Sequence, residues 1–137
     1  MDRQEAIEYL LDHYQNPRNS GTLEDADVTM PGGNPGCGDV VTIYLKVDQA
    51  HDAIERVTFE GQGCTISQAA ASILTELVAE RPLSAIEAMD FNDMIDLLGR
   101  DVVNSRPRCA TLALGTLKAA ITKYRTDQAK AAFDGAA

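Results

Sequence analysis

The sequence predicts an α+β fold, and two kinds of apolar periodicity support this prediction. Between Asp39 and Glu60, apolar and polar residues alternate with period two in two runs, which is typical of half-buried antiparallel strands. Before and after these runs, apolar residues recur at i, i+3, i+4 and i+7, the spacing of one helix face. Because an isolated hairpin is only marginally stable, the helices are expected to cover its apolar face.

The chain of 137 residues is expected to form a single domain with a mainly aliphatic core, since aromatics are only 5%. Its net charge of −9 argues against sequence-independent nucleic-acid binding, which requires a basic surface. No apolar run approaches the roughly 20 residues of a membrane span. The charged N-terminus is not followed by a signal-type apolar core, so the protein is expected to be cytoplasmic.

The first helix is predicted over residues 3–14, where Ile7, Leu10, Leu11 and Tyr14 form an apolar face. Asn16-Pro17 ends it, because the residue before proline avoids helical dihedrals. Residues 18–25 are predicted to form a loop, and a short strand is predicted around 26–30.

The predicted hairpin follows a glycine-rich and proline-containing turn. Val41, Ile43, Leu45 and Val47 point to one side of its first strand, and their polar neighbours point to the other. Residues 48–52 form a polar link, and the second strand covers 54–60.

The C-terminal half is predicted to be helical. Thr65 or Ser67 can cap a helix that ends before Pro82. Residues 83–98 are predicted to form one or two shorter helices with Gly99 as a C-cap, and 100–108 a polar connector. A last helix follows Cys109 and runs to about Arg125, and residues 126–137 are expected to form a flexible tail.

The three cysteines occupy similar local settings. Cys37 lies in the turn Asn34-Pro35-Gly36-Cys37-Gly38-Asp39, while Cys64 and Cys109 each precede a predicted helix. An odd number of widely separated cysteines is a poor disulfide framework and indicates metal or sulfur chemistry in a reducing compartment. A helix N-terminus should lower the pKa of a thiol towards neutrality, and the thiolate both binds metal and attacks sulfur.

Four side chains could therefore ligate a thiophilic metal: Cys37, Asp39, Cys64 and Cys109. Taken singly, each cysteine could instead be a small buried apolar residue, and Asp39 could simply cap a turn. The separations between the cysteines match no CxxC-type zinc signature. The flanking glycines and the carboxylate beside Cys37 favour a joint site. His13 and His51 are expected to be solvated.

Three segments resemble the signature sites of a known family. They are the turn containing Cys37 and Asp39, the segment Gly61-Gln62-Gly63-Cys64-Thr65-Ile66-Ser67, and the segment Arg106-Pro107-Arg108-Cys109-Ala110-Thr111-Leu112. Together with the N-terminal stretch His13–Gly21, they resemble the U-type iron–sulfur cluster assembly family, which comprises IscU, SufU and the N-terminal domain of NifU. The resemblance covers residues from about 5 to 125.

This resemblance implies a SufE/IscU-like α+β fold in which a three-stranded antiparallel sheet packs against several helices. It also implies that Cys37, Asp39, Cys64 and Cys109 hold a [2Fe–2S] cluster or Zn²⁺. IscU-like members carry a histidine directly before the third cysteine, where this chain has Arg108. The Arg-x-x-Cys-Ala-x-Leu and Gly-Cys-x-Ile-Ser patterns resemble SufU, whereas the stretch between Cys64 and Cys109 is shorter than in typical SufU proteins.

The function implied is that of a scaffold, which accepts sulfur from a cysteine desulfurase, holds a labile cluster and passes it to apo iron–sulfur acceptor proteins. Cys37 is the first candidate for the sulfur acceptor and Cys109 the second, with Arg106 and Arg108 in supporting roles. Asp39 is the weak corner of the site, because a carboxylate is a harder donor than a thiolate. Two alternatives are a zinc-dependent persulfide sulfurtransferase that builds no cluster and a structural zinc module.

Overall fold

The computed structural model of the protein describes residues 2–34 and 38–136. Its elements are the helices and strands α1 (Arg3–Gln15), β1 (Val28–Asn34), β2 (Asp39–Asp48), β3 (Ala53–Gln62), α2 (Thr65–Leu77), α3 (Leu83–Glu87), α4 (Phe91–Leu98), α5 (Arg100–Val103) and α6 (Pro107–Ala136). The order of elements confirms the predicted α+β fold.

The three strands form one antiparallel sheet in the order β1-β2-β3. The central strand β2 buries every second residue, as its alternation predicts. Ile43 lies opposite Met30 on β1 and Phe59 on β3, so the apolar faces of all three strands are in register. The three-stranded sheet that the family resemblance implied is therefore present.

The first strand extends further than predicted, from Val28 to Asn34 rather than from 26 to 30. Proline and glycine at positions 31–33, which the sequence places between the predicted strand and the cysteine turn, belong to β1, because β1 is an edge strand, where proline is tolerated. Gly32 also allows the strand to approach α6, because a side chain there would overlap Thr116 Oγ1.

The core lies between the sheet and the two long helices of the second half. Helix α6 packs against β1 and β2, and α2 packs against both β3 and α6. The largest fully buried side chains are Ile43, Leu45, Ile54, Ile73, Leu74, Leu83, Ile86, Met94, Leu98, Leu114, Leu117 and Ile121. All of them are aliphatic. Among the described residues, none of the helices combines the length and the apolar character needed to cross a membrane.

The helical region differs from the prediction at its end. The predicted connector over 100–108 contains α5, and α6 begins at Pro107 rather than after Cys109. Proline is favourable in the first turn of a helix, where its missing N–H group has no partner to lose. Helix α6 then continues to Ala136 instead of ending at Arg125, because residues 126–133 are rich in helix-forming alanine, lysine and glutamine. These residues are exposed, and their flexibility stays a prediction.

Helix α1 buries a different face from the one predicted. Ala6, Leu10 and His13 are buried, whereas Leu11 and Tyr14 are exposed. His13 is only 2% exposed, so the expectation that it is solvated is wrong. The imidazole ring of His13 can be buried because it forms a hydrogen bond with Ser72 on α2. His51 is exposed, as expected.

Candidate metal centre

Asp39 is the first residue of β2, and its side chain is buried at the end of the sheet, with 2% of the residue exposed. Its two carboxylate oxygens have different partners. Oδ1 accepts a hydrogen bond from the backbone N–H of Cys64 at 2.9 Å, and Oδ2 accepts one from Cys109 Sγ at 2.8 Å. A carboxylate so deep in the protein needs such partners to offset its desolvation.

Cys64 connects β3 to α2 and is itself the N-cap of that helix, where the sequence predicted Thr65 or Ser67. Its Sγ accepts the backbone N–H of Ser67 at 3.5 Å, and Ser67 Oγ donates to the carbonyl oxygen of Cys64 at 3.0 Å. A thiol thus takes the place of the usual oxygen of an N-cap residue. Its sulfur lies 4.0 Å from Asp39 Oδ2.

Cys109 lies in the first turn of α6 and is 1% exposed. The carbonyl oxygen of Arg106 accepts the N–H of Ala110 at 3.2 Å, so Arg106 stands where the helix begins. The start of α6 therefore carries both the third cysteine and the arginine of the Arg-x-x-Cys pattern to the end of the sheet.

Three of the four predicted ligands converge in this way. The Sγ atoms of Cys64 and Cys109 and a carboxylate oxygen of Asp39 all lie within 4.8 Å of one another. Asp39 is 25 residues from Cys64 and 70 residues from Cys109 along the chain. Cys37, the fourth predicted ligand and first candidate for sulfur acceptor, lies outside the described residues.

The pKa values of Cys64 and Cys109 are shifted in opposite directions by their surroundings. Burial raises the pKa of Cys64, but hydrogen bonds with Ser67, above all from its backbone N–H, and with Cys109 outweigh it and hold the pKa below its ordinary value. Burial, the hydrogen bond to Asp39 and the neighbouring Cys64 together raise the pKa of Cys109. The predicted lowering at a helix N-terminus thus holds for Cys64, whereas Cys109 in the metal-free protein is a thiol that donates to a carboxylate.

The ionisation of Asp39 follows from the same contacts. Burial raises the pKa of its carboxyl group, but hydrogen bonds from Cys109, Cys64 and Ser67 outweigh burial and leave the pKa lowered. The carboxylate is therefore the charged form at neutral pH, which is the form that binds metal.

The two predicted supporting arginines both stand at the start of α6. Arg106 is exposed, and the neighbouring Cys64 and Cys109 raise the pKa of its guanidinium group. Arg108 is exposed in the first turn of α6.

The donor set suits a thiophilic divalent metal. The two sulfurs and one carboxylate oxygen lie close together, and zinc and iron–sulfur units accept such mixed sulfur and oxygen donors. A fourth ligand would complete a tetrahedral set. Two helix N-termini, those of α2 and α6, point their partial positive charges at the ligands and offset their negative charge.

Ser67 is a polar residue of the site that the prediction treated only as a possible cap. It donates to the backbone of Cys64, lies 3.8 Å from the cysteine sulfur and helps to lower the pKa of Asp39. Its position three residues after Cys64 is a signal for this role, since the side chain at an N-cap bonds to the N–H of the third residue beyond it.

Comparison with known proteins identifies the family. The model of the family described as "NifU-like N terminal domain" matches residues 5–131. The chain belongs to this family. The NifU-like domain is 38% identical over 123 residues to the iron–sulfur cluster assembly scaffold protein IscU of Aquifex aeolicus, which covers 90% of this chain and 78% of that protein.

Two further relatives of the NifU-like domain carry the SufU name. The zinc-dependent sulfurtransferase SufU of Bacillus subtilis is 33% identical over 131 residues, which covers 83% of this chain and 87% of that protein. The crystal structure of FiSufU from Fervidobacterium islandicum AW-1, titled as a candidate scaffold for the SUF system, has a TM-score of 0.69 and 27% identity. It covers 88% of this chain and 99% of that one.

Proposed function

We propose that this NifU-like domain is an iron–sulfur cluster assembly scaffold, which accepts sulfur from a cysteine desulfurase and holds a labile [2Fe–2S] cluster for transfer to apo-proteins. The observation that carries this proposal is the convergence of Asp39, Cys64 and Cys109 at one buried end of the sheet. The name of the Aquifex relative supports the same function. Cys37 is the proposed fourth ligand, because it stands two residues before Asp39 in the sequence.

A scaffold must hold its cargo and then release it, and the donor set provides for both. Thiolates bind soft metal ions firmly, whereas a single carboxylate is a harder and weaker donor for an iron–sulfide unit. Asp39 is therefore the corner of the site where exchange with an acceptor protein begins.

Sulfur supply requires a thiolate that attacks the outer sulfur of a persulfide on the desulfurase. A new S–S bond forms on the scaffold, and the cysteine of the desulfurase leaves as a thiolate. Cys37 is the first candidate for this attack. Cys109 is the second, and it can attack only after it loses the proton that it donates to Asp39. Cys37→Ser and Cys109→Ser variants are each expected to accept less sulfur, and unchanged acceptance in both would contradict the assignment.

Arg106 is proposed to draw the anionic persulfide to the site, because it stands where α6 begins, three residues before Cys109, and both described cysteines raise its pKa. Arg106→Gln should lower the rate of persulfide transfer about tenfold, and Arg108→Gln is the matched control because it removes the same charge two residues away. The rate is measured by labelling of the scaffold persulfide after mixing with loaded desulfurase. Equal losses in the two variants would indicate a general charge effect instead.

A second function is a zinc-dependent sulfurtransferase that relays persulfide sulfur and builds no cluster. The name of the Bacillus relative and the position of Arg106 beside the sulfurs favour it. In that case Zn²⁺ would be held by the same residues as a tetrahedral site, and it would keep the thiols deprotonated.

Metal analysis of protein purified without oxygen tests the two functions directly. Iron together with acid-labile sulfide supports the scaffold, and stoichiometric zinc without sulfide supports the relay. Stimulation of a cysteine desulfurase then separates the relay from a purely structural zinc module, which would give none. Protein with neither metal after reconstitution would contradict the proposed function.

A further inference from the structure

We infer that Gly63 is a positioning residue for Asp39: the absence of a side chain at position 63 leaves the space in which the Asp39 carboxylate stands between the two sulfurs. This inference rests on the proposed function, in which Asp39 is the exchangeable ligand. Gly63, which binds no metal itself, would thereby influence how readily the site releases its metal.

The space beside Gly63 that a side chain would occupy is already filled by Asp39 and Ser67. A Cβ atom there would overlap Asp39 Oδ1, would lie 3.0 Å from Asp39 Cγ and would lie 2.7 Å from Ser67 Oγ. The hydroxyl group of Ser67 can move by rotation about one bond. The carboxylate of Asp39 can move only by breaking its hydrogen bonds, because Oδ1 accepts the N–H of Cys64 and Oδ2 accepts from Cys109 Sγ.

The backbone of Asp39 is also fixed. The residue pairs with Asn34 on β1, and its neighbour Val40 pairs with Gln62 on β3. A side chain at position 63 therefore cannot push the strand aside without breaking the sheet. The available response is rotation of the Asp39 side chain about χ1, which takes its carboxylate away from both sulfurs.

The two oxygens of Asp39 consequently have separate tasks. Oδ1 faces Gly63 and the backbone of Cys64, and it serves to orient the carboxylate. Oδ2 faces both sulfurs, at 2.8 Å from Cys109 Sγ and 4.0 Å from Cys64 Sγ, and it is the donor left for a metal. Asp39 is thus placed as a ligand through one oxygen, which is a weaker attachment than a bidentate carboxylate.

Gly63 also has a positive φ of +156°, so an alanine there carries backbone strain in addition to the overlap. Gly21 provides a matched control. Its φ is +127°, and a Cβ atom there would meet nothing within 4 Å. Gly21→Ala therefore reports the cost of strained backbone without any contact with the site.

The test uses Co²⁺ as a spectroscopic probe of the whole chain. Asp39→Ala is expected to weaken Co²⁺ binding about 10- to 100-fold and to change the d–d absorption, because an oxygen donor is lost. Gly63→Ala should reproduce both changes although Asp39 is present, and Gly21→Ala should leave both unaltered. The double variant Gly63→Ala/Asp39→Ala should bind no more weakly than either single variant.

Wild-type d–d absorption in Gly63→Ala, or additive losses in the double variant, would overturn the inference. The double variant Ser67→Ala/Gly63→Ala tests whether Ser67, the other residue near position 63, is the one displaced. Recovery of the wild-type spectrum in this variant would show that the hydroxyl group of Ser67, not Asp39, is displaced. That result would also overturn the inference.

A measurement without metal separates this inference from the proposed function. The fall in unfolding midpoint caused by Gly63→Ala should be smaller in the Asp39→Ala background than in the wild type, because the overlap with the carboxylate is gone. An equal fall in both backgrounds contradicts the placement of Gly63. Failure of the wild-type protein to bind Co²⁺, with the smaller fall still observed, would instead contradict the proposed metal site, and with it the inferred effect on metal release.

Discussion

At the scale of single residues, the site is defined by one buried carboxylate between two thiols. The charge of Asp39 is retained in the interior because its oxygens accept hydrogen bonds from the backbone N–H of Cys64 and from the thiol of Cys109. The contact with Asp39 helps to keep Cys109 protonated, whereas hydrogen bonds with Ser67 hold the pKa of Cys64 below its ordinary value. In the metal-free protein a proton therefore stands between Asp39 and Cys109. Binding of the proposed metal would displace that proton, so we expect loading of the site to depend on pH.

The proposed role of Asp39 as the weakest ligand predicts the behaviour of a reconstituted cluster. Asp39→Ala should lengthen the lifetime of an assembled cluster several-fold, because the hard donor at which exchange begins is absent. The measurement is the decay of visible absorbance after addition of an apo acceptor protein. Asp101→Ala, which removes an exposed carboxylate from α5, is the control. Faster decay in Asp39→Ala than in the control would contradict this role.

At the scale of elements, a buried polar contact joins the N-terminal helix to the helix that carries Cys64. His13 Nδ1 lies 2.7 Å from Ser72 Oγ on α2, and Nε2 lies 3.4 Å from Glu76 Oε1 one turn further on. Ser72 Oγ also accepts the backbone N–H of Arg18 at 2.8 Å. One serine thus holds both the end of α1 and the chain that follows it.

This contact predicts how stability depends on pH. Burial and the charge of Arg18 lower the pKa of His13, and they outweigh the opposite effects of Glu76 and Asp12. Because the folded state binds the proton less readily than the unfolded state, the stability that the neutral ring provides is present above the unfolded pKa of about 6.5. It is lost as pH falls through the lower pKa of the folded state.

The variant His13→Phe should therefore flatten the dependence of the urea midpoint on pH between about 7.5 and 5.5. It should also lower stability at pH 7.5 by about 1–3 kcal/mol, because the buried hydroxyl group of Ser72 loses a partner. His51→Gln removes an exposed histidine and should keep the wild-type slope. If the two variants gave the same slope, His13 would not be the group responsible.

At the scale of the whole molecule, α6 connects the site to the opposite end of the sheet. Its first turn carries Cys109, while Arg125 further along binds Glu87 of α3 at 2.9 Å and Asp52 of the β2–β3 turn at 3.0 Å. A planar guanidinium group that bridges two carboxylates is better ordered than an isolated surface pair. Helix α6 is thereby tied to the sheet at its first turn, through Cys109 and Asp39, and at Arg125, through Asp52.

Arg125→Gln should accordingly lower the free energy of unfolding by about 1 kcal/mol, the upper range for ion pairs with partial exposure. Urea denaturation at low and moderate salt measures the change, and the loss should be smaller at moderate salt because the pairs are screened. Lys123→Gln breaks the exposed pair with Asp127 within α6 and should change stability by less than about 0.5 kcal/mol. A loss in Lys123→Gln as large as in Arg125→Gln would contradict a linking role for Arg125.

The sequence by itself determined the features that depend on a few neighbouring residues. The alternation from Val41 to Val47 specifies the buried face of β2, and the apolar stripe after Cys64 specifies α2, because side-chain direction follows directly from local backbone geometry. The residue types that could bind metal were evident for the same reason. Their order along the chain was sufficient for the resemblance to the family.

Only the tertiary structure decided the features that depend on distant parts of the chain. The meeting of Asp39 with Cys109 spans 70 residues, and together with burial it raises the pKa of Cys109. The burial of His13 likewise requires Ser72 from another helix. Such contacts are selected by the packing of whole elements, in which long-range burial and hydrogen bonding override local polarity.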